Sequence, residues 1–292
     1  RLTDFIGGGG FRGPAYILSA NDSIALPFRD FKYKHQAIIT NGYLMVHNYN
    51  EEDLQKKIIN GENKFLKAHN INEANEYSIL YHRMLKPTIP YGIKGVIWYQ
   101  GEANVGNYEE YTVLLDGMIR DWRSNWNDDF SFYFAQIAPY TYSNKENSQG
   151  LRDAQRKILN VTPKTGMAIL LDIGEENDIH PHNKQDVGKR LALLALNKDY
   201  GFDLVDSGPL YLNHYVKNEY IEISFDNLGS GLKAKQPLLG FEISGQDGIF
   251  YPAEAEIKND KLKVYSPEVI KPKDVRYGWK NYFEATLFNL EG

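Results

Sequence analysis

The sequence predicts an α/β protein in which a parallel sheet, covered by helices, is followed by an antiparallel β-module. Between about residues 86 and 200, strand and helix patterns alternate three times, and each strand is almost entirely apolar. Such apolar runs are typical of parallel strands that are buried on both faces. From about residue 205, apolar and polar residues alternate with a period of two between turn residues, which is typical of antiparallel strands.

These patterns divide the chain into three predicted regions. Residues 1–45 form a β-rich region with a four-glycine run, residues 46–204 form the α/β core, and residues 205–292 form the β-module. A helical pattern covers residues 50–85, and apolar residues at three-and-four spacing predict an amphipathic helix at 108–126. The predicted strands of the core are 93–99, 130–140 and 166–174, and its remaining helices are 147–160 and 183–200.

Composition excludes several classes of protein and site. The 292 residues carry a net charge of −5, and no basic run exceeds Lys56-Lys57, so no basic field exists to attract nucleic acid or an anionic membrane. No apolar stretch reaches the roughly 18 residues that a membrane span requires. The absence of cysteine excludes disulfides and thiolate catalysis. The 21 tyrosines suit sugar-binding clefts and ordinary β-structure equally well.

A cluster of polar residues follows the first predicted strand of the core. Strand 93–99 leads directly into Gln100, Gly101, Glu102 and Asn104. One such polar residue alone most often caps a helix or occupies a turn. Open α/β sheets, however, bind their ligands beyond the carboxyl ends of the strands, where amides and backbone N–H groups can form an oxyanion hole. The segment is therefore a candidate active-site loop.

A second polar loop, residues 172–185, follows the third predicted strand and contains two histidines. Asp178 and His180 supply a carboxylate and an imidazole, the pair that forms the base of a hydrolytic triad. Alternate residues of a loop can also converge on a metal ion, so Asp178, His180 and His182 form an alternative zinc site. A third interpretation is local, because His182 and Asn183 precede a predicted helix and could cap it. We expect no metal at this site.

A nucleophile for such a triad is missing from the sequence. No G-x-S-x-G motif occurs, and no serine lies between a strand and a helix as an activated serine requires. The two polar loops follow different strands of one predicted sheet, so they can share one rim of it. The sequence thus supplies the base and the oxyanion donors of a hydrolase without its serine.

Four segments resemble motifs of one known family. WYQGEAN (98–104) is similar to W-Y-Q-G-E-[SA]-N, and DIHPHNKQDVGKRLA (178–192) is similar to D-I-H-P-x-N-K-Q-x-V-G-x-R-L-A. The closing segment 275–292 resembles an R-Y-G-W segment, and GGGGFRG (7–13) resembles a glycine-rich loop. These are motifs of the sialate O-acetylesterase family in the SGNH-hydrolase superfamily. The resemblance implies a three-layer α/β/α core of flavodoxin-like type and a serine hydrolase that removes acetyl esters from sugars, with O-acetylated sialic acid as the first expectation.

The resemblance also implies roles for individual residues. By it, His180 would be the general base of the reaction. The group that orients His180 stays open between Asp178, Glu102 and a backbone carbonyl. The reaction would need no metal and no cofactor. The oxyanion and substrate-side groups would be the amides and backbone N–H groups that follow the first strand: Gln100, Gly101 and Asn104.

The sequence departs from the family pattern at the nucleophile. The family's serine belongs to a G-Q-S-N motif upstream of the glycine-rich loop, and this motif is absent here. We therefore expect an N-terminal segment or a companion chain to carry the serine, and residues 1–292 alone to be inactive. The expected substrate is an O-acetylated sugar, and the expected location is periplasmic or secreted.

Two alternative functions stay open from the sequence. An esterase of the same fold could act on acetylated xylan or another polysaccharide. The aromatic content and the β-module also fit a non-catalytic carbohydrate-binding protein.

Overall fold

The computed structural model describes residues 81–142 and 147–292, together with the backbone of four short strands near the start of the chain. These strands pair in two antiparallel ribbons, which agrees with the predicted β-structure of this region. Most of the predicted helical region 50–85 lies outside the described residues; its end, Tyr81–Leu85, is a short π-helix followed by a 3₁₀ turn at Lys86–Thr88. The four strands are β1 (Tyr16–Leu18), β2 (Ser23–Ala25), β3 (Gln36–Thr40) and β4 (Tyr43–His47).

The predicted parallel sheet and its helices are confirmed. Its three strands are β5 (Gly95–Trp98), β6 (Ser131–Ala135) and β7 (Thr165–Ala168), parallel and in the order β5-β6-β7. Every residue of the central strand β6 is buried. The helices are α1 (Tyr108–Trp126), α2 (Ser148–Val161) and α3 (Lys184–Lys198).

Strands β6 and β7 are shorter than the apolar runs predicted. The predicted strand 130–140 ends at Ala135, although Gln136, Ile137 and Ala138 stay buried beyond it. Apolar sequence signals burial rather than strand pairing, so the run continues as a buried loop at the carboxyl end of the sheet.

Local sequence signals explain where the helices begin and which faces they bury. The side chain of Asn147 caps α2 by accepting from Gly150 N at 2.9 Å, and Asn183 caps α3 by accepting from Asp186 N at 3.1 Å. The local interpretation of Asn183 as a helix cap is therefore confirmed. The apolar stripe predicted on α1 is buried at Tyr111, Leu114, Leu115, Met118 and Ile119.

The antiparallel β-module is confirmed as well. Its strands are β8 (Leu210–Lys217), β9 (Tyr220–Asp226), β10 (Leu232–Ala234), β11 (Phe241–Ser244), β12 (Phe250–Lys258), β13 (Lys261–Tyr265), β14 (Asp274–Tyr277) and β15 (Leu287–Asn289). Six of them form one sheet in the order β14-β11-β12-β13-β9-β8, and β10 pairs with β15. The hairpin between β12 and β13 turns at Asn259 and Asp260, both at positive φ, as a two-residue type I′ turn requires.

The described chain forms two compact units by contact. Residues 1–93 with 113–129 make one unit, and residues 94–112 with 130–292 make the other. Every candidate site residue belongs to the second unit, which also contains the parallel sheet and the β-module. Among the helices of the described part, none combines the length and the apolar character that crossing a membrane requires.

Candidate active site

The loops that follow β5 and β7 both contact the carboxyl edge of the parallel sheet. A side chain at Gly174 would begin 2.2 Å from the carbonyl oxygen of Pro139, so the loop after β7 packs directly on the segment after β6. The Nζ of Lys184, at the start of α3, lies 5.2 Å from the centre of the Tyr99 ring at the end of β5. The two predicted loops therefore share one rim, as the sheet order requires.

In the first loop, Gln100 is held at both its backbone and its side chain. Tyr111 Oη donates to the carbonyl oxygen of Gln100 at 2.9 Å, and Gln100 Nε2 donates to Asn104 Oδ1 at 2.7 Å. Asn104 is buried in a 3₁₀ turn, Glu102–Asn107, so it is a fixed acceptor. The second hydrogen of Gln100 Nε2 has no acceptor within residues 81–142 and 147–292 and is free to contact a ligand.

Gly101 occupies a position where no side chain fits. A Cβ there would lie 2.7 Å from Ile137 Cγ2 and 3.1 Å from Gln155 Nε2, both closer than ordinary contacts. Its carbonyl oxygen accepts from Asn104 N at 2.8 Å, while no described residue accepts from its own N–H. The loop thus presents a second unused donor next to Gln100.

Gln155 of α2 contacts the candidate site and was not among the residues predicted from the sequence. It is fully buried, with its amide between the ends of β5 and β6. The sequence did contain a signal for Gln155. It lies four residues after Leu151 and three before Ile158, so it is a polar residue on the apolar face of the helix. A polar side chain on a buried helical face needs hydrogen-bond partners, and these prove to be the ends of the two strands.

The Glu102 carboxylate acts electrostatically on two tyrosines, Tyr99 and Tyr111. Burial, with the nearby Glu102 carboxylate as the next cause, raises the pKa of Tyr99 to about 12. Burial also raises the pKa of Tyr111, and Glu102 adds to the effect. No hydrogen bond joins Glu102 to His180 within the described residues, so its role as the partner of the base stays a prediction.

Asp178 is hydrogen-bonded to the backbone of His180 and not to its ring. Asp178 Oδ1 accepts from the backbone N–H of His180 at 2.8 Å, which closes a tight turn of the loop. The His180 side chain is exposed, and its ring makes no hydrogen bond to any residue in the described part of the chain. The structure therefore leaves the orienting group of His180 open, as the sequence did.

The ring that does meet a carboxylate in this loop belongs to His182. Its Nδ1 lies 3.0 Å from Glu175 Oε1, and its backbone N–H donates to the same oxygen at 2.7 Å. Hydrogen bonds from the His182 backbone, then from its ring, lower the pKa of Glu175. No periodic pattern relates two loop residues seven positions apart, so the sequence carried no signal for this pair.

The structure brings together a different set of residues from the one predicted for the alternative metal site. Ligand atoms of Glu175, Asp178 and His182 lie within 4.8 Å of one another, whereas His180 is not part of this cluster. Exposed carboxylates and a histidine often gather on a loop without binding an ion. No second observation among the described residues points to a cation here, and the cluster by itself assigns none.

Asp172, at the start of the second loop, has a structural partner. Its two carboxylate oxygens each lie 2.6 Å from a guanidinium nitrogen of Arg190 on α3, in a bidentate pair. Arg190 also donates to the carbonyl oxygen of Ile169, and its hydrogen bonds with Asp172 raise its pKa. Asp172 therefore anchors the loop to α3.

A cavity of about 770 Å³ lies elsewhere in the same unit, between the helices α2 and α3 and the β-module. Arg152, Arg190 and Trp279 are among its lining residues, and none of the six predicted site residues lines it. The predicted site residues thus lie outside this cavity.

Comparison with known proteins agrees with the motifs on this rim. Residues 64–197 match the family described as carbohydrate esterase, sialic acid-specific acetylesterase. The sialate O-acetylesterase of Mus musculus is 31% identical over 179 residues, which cover 53% of this chain and 33% of the mouse protein. The Homo sapiens sialate O-acetylesterase is 30% identical over 162 residues, covering 48% of this chain and 31% of the human protein. The chain thus spans about a third of the length of the curated relatives it matches.

A solved structure supports the same relationship at the level of the fold. The crystal structure of a carbohydrate acetylesterase from Xanthomonas citri superposes with a TM-score of 0.71 at 37% sequence identity. The match covers 76% of this chain and 53% of the Xanthomonas protein. Both the motifs and the backbone therefore resemble those of carbohydrate acetylesterases.

Proposed function

We propose, from the match of residues 64–197 to the sialic acid-specific acetylesterase family, that the protein is a carbohydrate O-acetylesterase. Its substrate would be an O-acetylated sugar, in first place O-acetylated sialic acid. The observation that carries the proposal is the pair of unused N–H donors at the end of β5, on Gln100 Nε2 and Gly101 N, on the rim that also carries His180.

In this mechanism a serine attacks the acetyl carbonyl carbon, and His180 takes the proton of its hydroxyl. The negative charge that develops on the carbonyl oxygen is stabilised by Gln100 Nε2 and Gly101 N–H. His180 then returns the proton to the sugar oxygen, which leaves as a hydroxyl. Water, deprotonated by the same imidazole, releases acetate and regenerates the serine.

The serine is supplied from outside the described residues in this proposal. Within 81–142 and 147–292, no serine hydroxyl is hydrogen-bonded to the His180 ring. An N-terminal segment or a companion chain carrying the serine would complete the triad. An esterase that acts on acetylated glycans usually encounters them outside the cytoplasm, so the proposal includes a periplasmic or secreted location.

The test compares two histidines of the same loop in the full-length protein. We expect His180→Ala to lower kcat by about 10³-fold or more, because a triad base is lost. His182→Ala removes only a solvent-exposed pair with Glu175 and should keep most of the activity. Release of acetate is measured with O-acetylated sialic acid and with acetylxylan.

The outcomes separate the candidate functions. Faster turnover of the sialic acid ester supports the proposed substrate, and faster turnover of acetylxylan supports a polysaccharide esterase of the same fold. Near-normal turnover by His180→Ala would contradict the proposed base. Sugar binding without any ester hydrolysis, even with the serine segment present, would indicate a carbohydrate-binding protein.

A further inference from the structure

We infer that Gln155 and Tyr111 are positioning residues that fix the Gln100–Gly101 peptide so that the Gly101 N–H faces the reacting carbonyl. This inference rests on the proposed esterase function, since it concerns the donor that would hold the oxyanion. Neither side chain would touch the substrate. Both would act through the peptide that joins β5 to the first loop.

The amide of Gln155 bridges the ends of two neighbouring strands. Its Nε2 lies 3.3 Å from the carbonyl oxygen of Gln100 and 3.4 Å from that of Ala135, while its Oε1 accepts from Ile137 N at 2.9 Å. The side chain is fully buried, so these hydrogen bonds do not compete with water. Gln155 therefore sets the position of the end of β5 relative to the end of β6.

Tyr111 of α1 is the second side chain that donates a hydrogen bond to the Gln100 carbonyl oxygen. Its hydroxyl lies 2.9 Å from Gln100 O and 3.3 Å from Gln100 Oε1. Burial raises the pKa of Tyr111, so the hydroxyl keeps its proton and stays a donor at neutral pH. The carbonyl oxygen of Gln100 is thus bound by two buried donors from two helices.

The geometry of the peptide bond determines the direction of the Gly101 N–H once the Gln100 carbonyl is fixed. The Gln100–Gly101 bond is trans, and a trans peptide points its C=O and N–H to opposite sides. Because the carbonyl is held towards Tyr111 and Gln155, the Gly101 N–H is held away from them. It donates to no acceptor in the described part of the chain, although Gly101 itself is buried. An oxyanion donor is effective when it is fixed in advance in this way.

The substitution Gln155→Glu in the full-length protein tests the inference through pH. The new carboxyl group keeps an oxygen for Ile137 N but loses the N–H that faces the carbonyl oxygens of Gln100 and Ala135. When ionised, it repels both of them; when protonated, it can donate to one. Burial favours the protonated form. Tyr111 shares the Gln100 carbonyl oxygen with residue 155 and its pKa responds to Glu102, while the buried, charged Arg152 lies one turn earlier on α2.

We expect kcat of Gln155→Glu to fall about 10²-fold at alkaline pH, since a small displacement of a catalytic group has this effect, with little change in KM. The ratio of variant to wild-type kcat should then rise as the pH falls, because the carboxyl regains its proton. If Gln155 had a purely structural role, the ratio of variant to wild-type kcat, measured on folded molecules, would not depend on pH. Gln246→Glu, the same change at an exposed turn of the β-module, should give a ratio near one at every pH.

A second variant keeps the inference testable if Gln155→Glu does not fold. Tyr111→Phe removes only the hydroxyl and should lower kcat with little change in KM, while circular dichroism reports the folded fraction. A pH-independent ratio for Gln155→Glu, or full activity of Tyr111→Phe, would overturn the inference while the esterase assignment stands. Absence of ester hydrolysis by the wild-type protein would overturn the proposed function and this inference with it.

Discussion

Single side chains of the candidate site divide into those that are held and those that are free. Gln100, Asn104 and Gln155 are bound into one hydrogen-bonded group. The ring of His180, in contrast, has no partner in the described part of the chain and is exposed. Catalytic hydrogen bonds often form only when the substrate and all members of the site are present, so the free ring is compatible with a base.

Asp172 gives a prediction at the residue scale. Asp172→Ala leaves the guanidinium of Arg190, which is mostly buried, without its bidentate partner. We expect the free energy of unfolding to fall by about 1–3 kcal/mol, because an unsatisfied charged group costs its desolvation. Urea denaturation of the purified protein measures the change.

The control for Asp172 is an exposed ion pair of the β-module. Glu256 lies 2.7 Å from Lys263, and both side chains are accessible to water. Glu256→Ala should therefore change the free energy of unfolding much less than Asp172→Ala does, because water screens the exposed pair. Equal losses for the two variants would contradict the anchoring role of Asp172.

At the scale of elements, the apolar runs of β6 and β7 extend past their hydrogen-bonded parts. Ile137 and Ala138 stay buried after β6 has ended, and Leu170 does so after β7. The ends of these two strands are thus packed against the core, and the loop after β7, which carries His180, begins on a rigid base. A site supported in this way holds its groups more precisely than one on a free loop.

Two glycines of the first loop provide a matched test of this packing. Gly101→Ala would place a methyl group 2.7 Å from Ile137 Cγ2, so we expect overpacking to cost about 1–3 kcal/mol of stability and to displace the N–H. Gly106→Ala lies in the 3₁₀ turn that follows Gly101, with nothing within 4 Å of the new Cβ, and it should be neutral or slightly stabilising. Thermal unfolding and acetate release compare the variants; a harmless Gly101→Ala would show that the loop is loosely packed.

At the scale of the whole described unit, Arg152 ties the α/β part to the closing segment of the chain. From α2 it donates to the carbonyl oxygens of Gly278, Lys280 and Asn281 and to the hydroxyl of Ser148. Burial lowers its pKa to about 10, yet the group stays charged at neutral pH. The R-Y-G-W segment is therefore attached to the α/β core by a buried arginine.

Arg152→Met should leave these carbonyl oxygens without donors and lower the free energy of unfolding by about 2 kcal/mol or more. Arg156→Met, one turn further along α2, removes a partly exposed pair with Asp153 and should cost at most about 1 kcal/mol. Urea denaturation measures both, and protease cleavage near residue 278 should increase only in Arg152→Met. If the two variants were equally stable, the attachment would lie elsewhere.

Much of the fold could be predicted from the sequence, because hydrophobic periodicity and turn chemistry are local properties. The helix at 108–126, the parallel strands and the β-module all follow from spacing, and the Asn259-Asp260 turn follows from residue type. The sequence also placed Gln100 and His180 on loops beyond strand ends, and the sheet order puts those loops on one rim.

Only the tertiary structure decided which partner each polar side chain has. Asp172 meets Arg190 across 18 residues, and Gln155 meets Gln100 across 55, so no window of local sequence contains either pair. The loop histidine that meets a carboxylate is His182 rather than His180. By itself the sequence determined the elements and the residue types at their ends; their partners depend on distances that exist only once β5, β6, β7 and the helices have packed together.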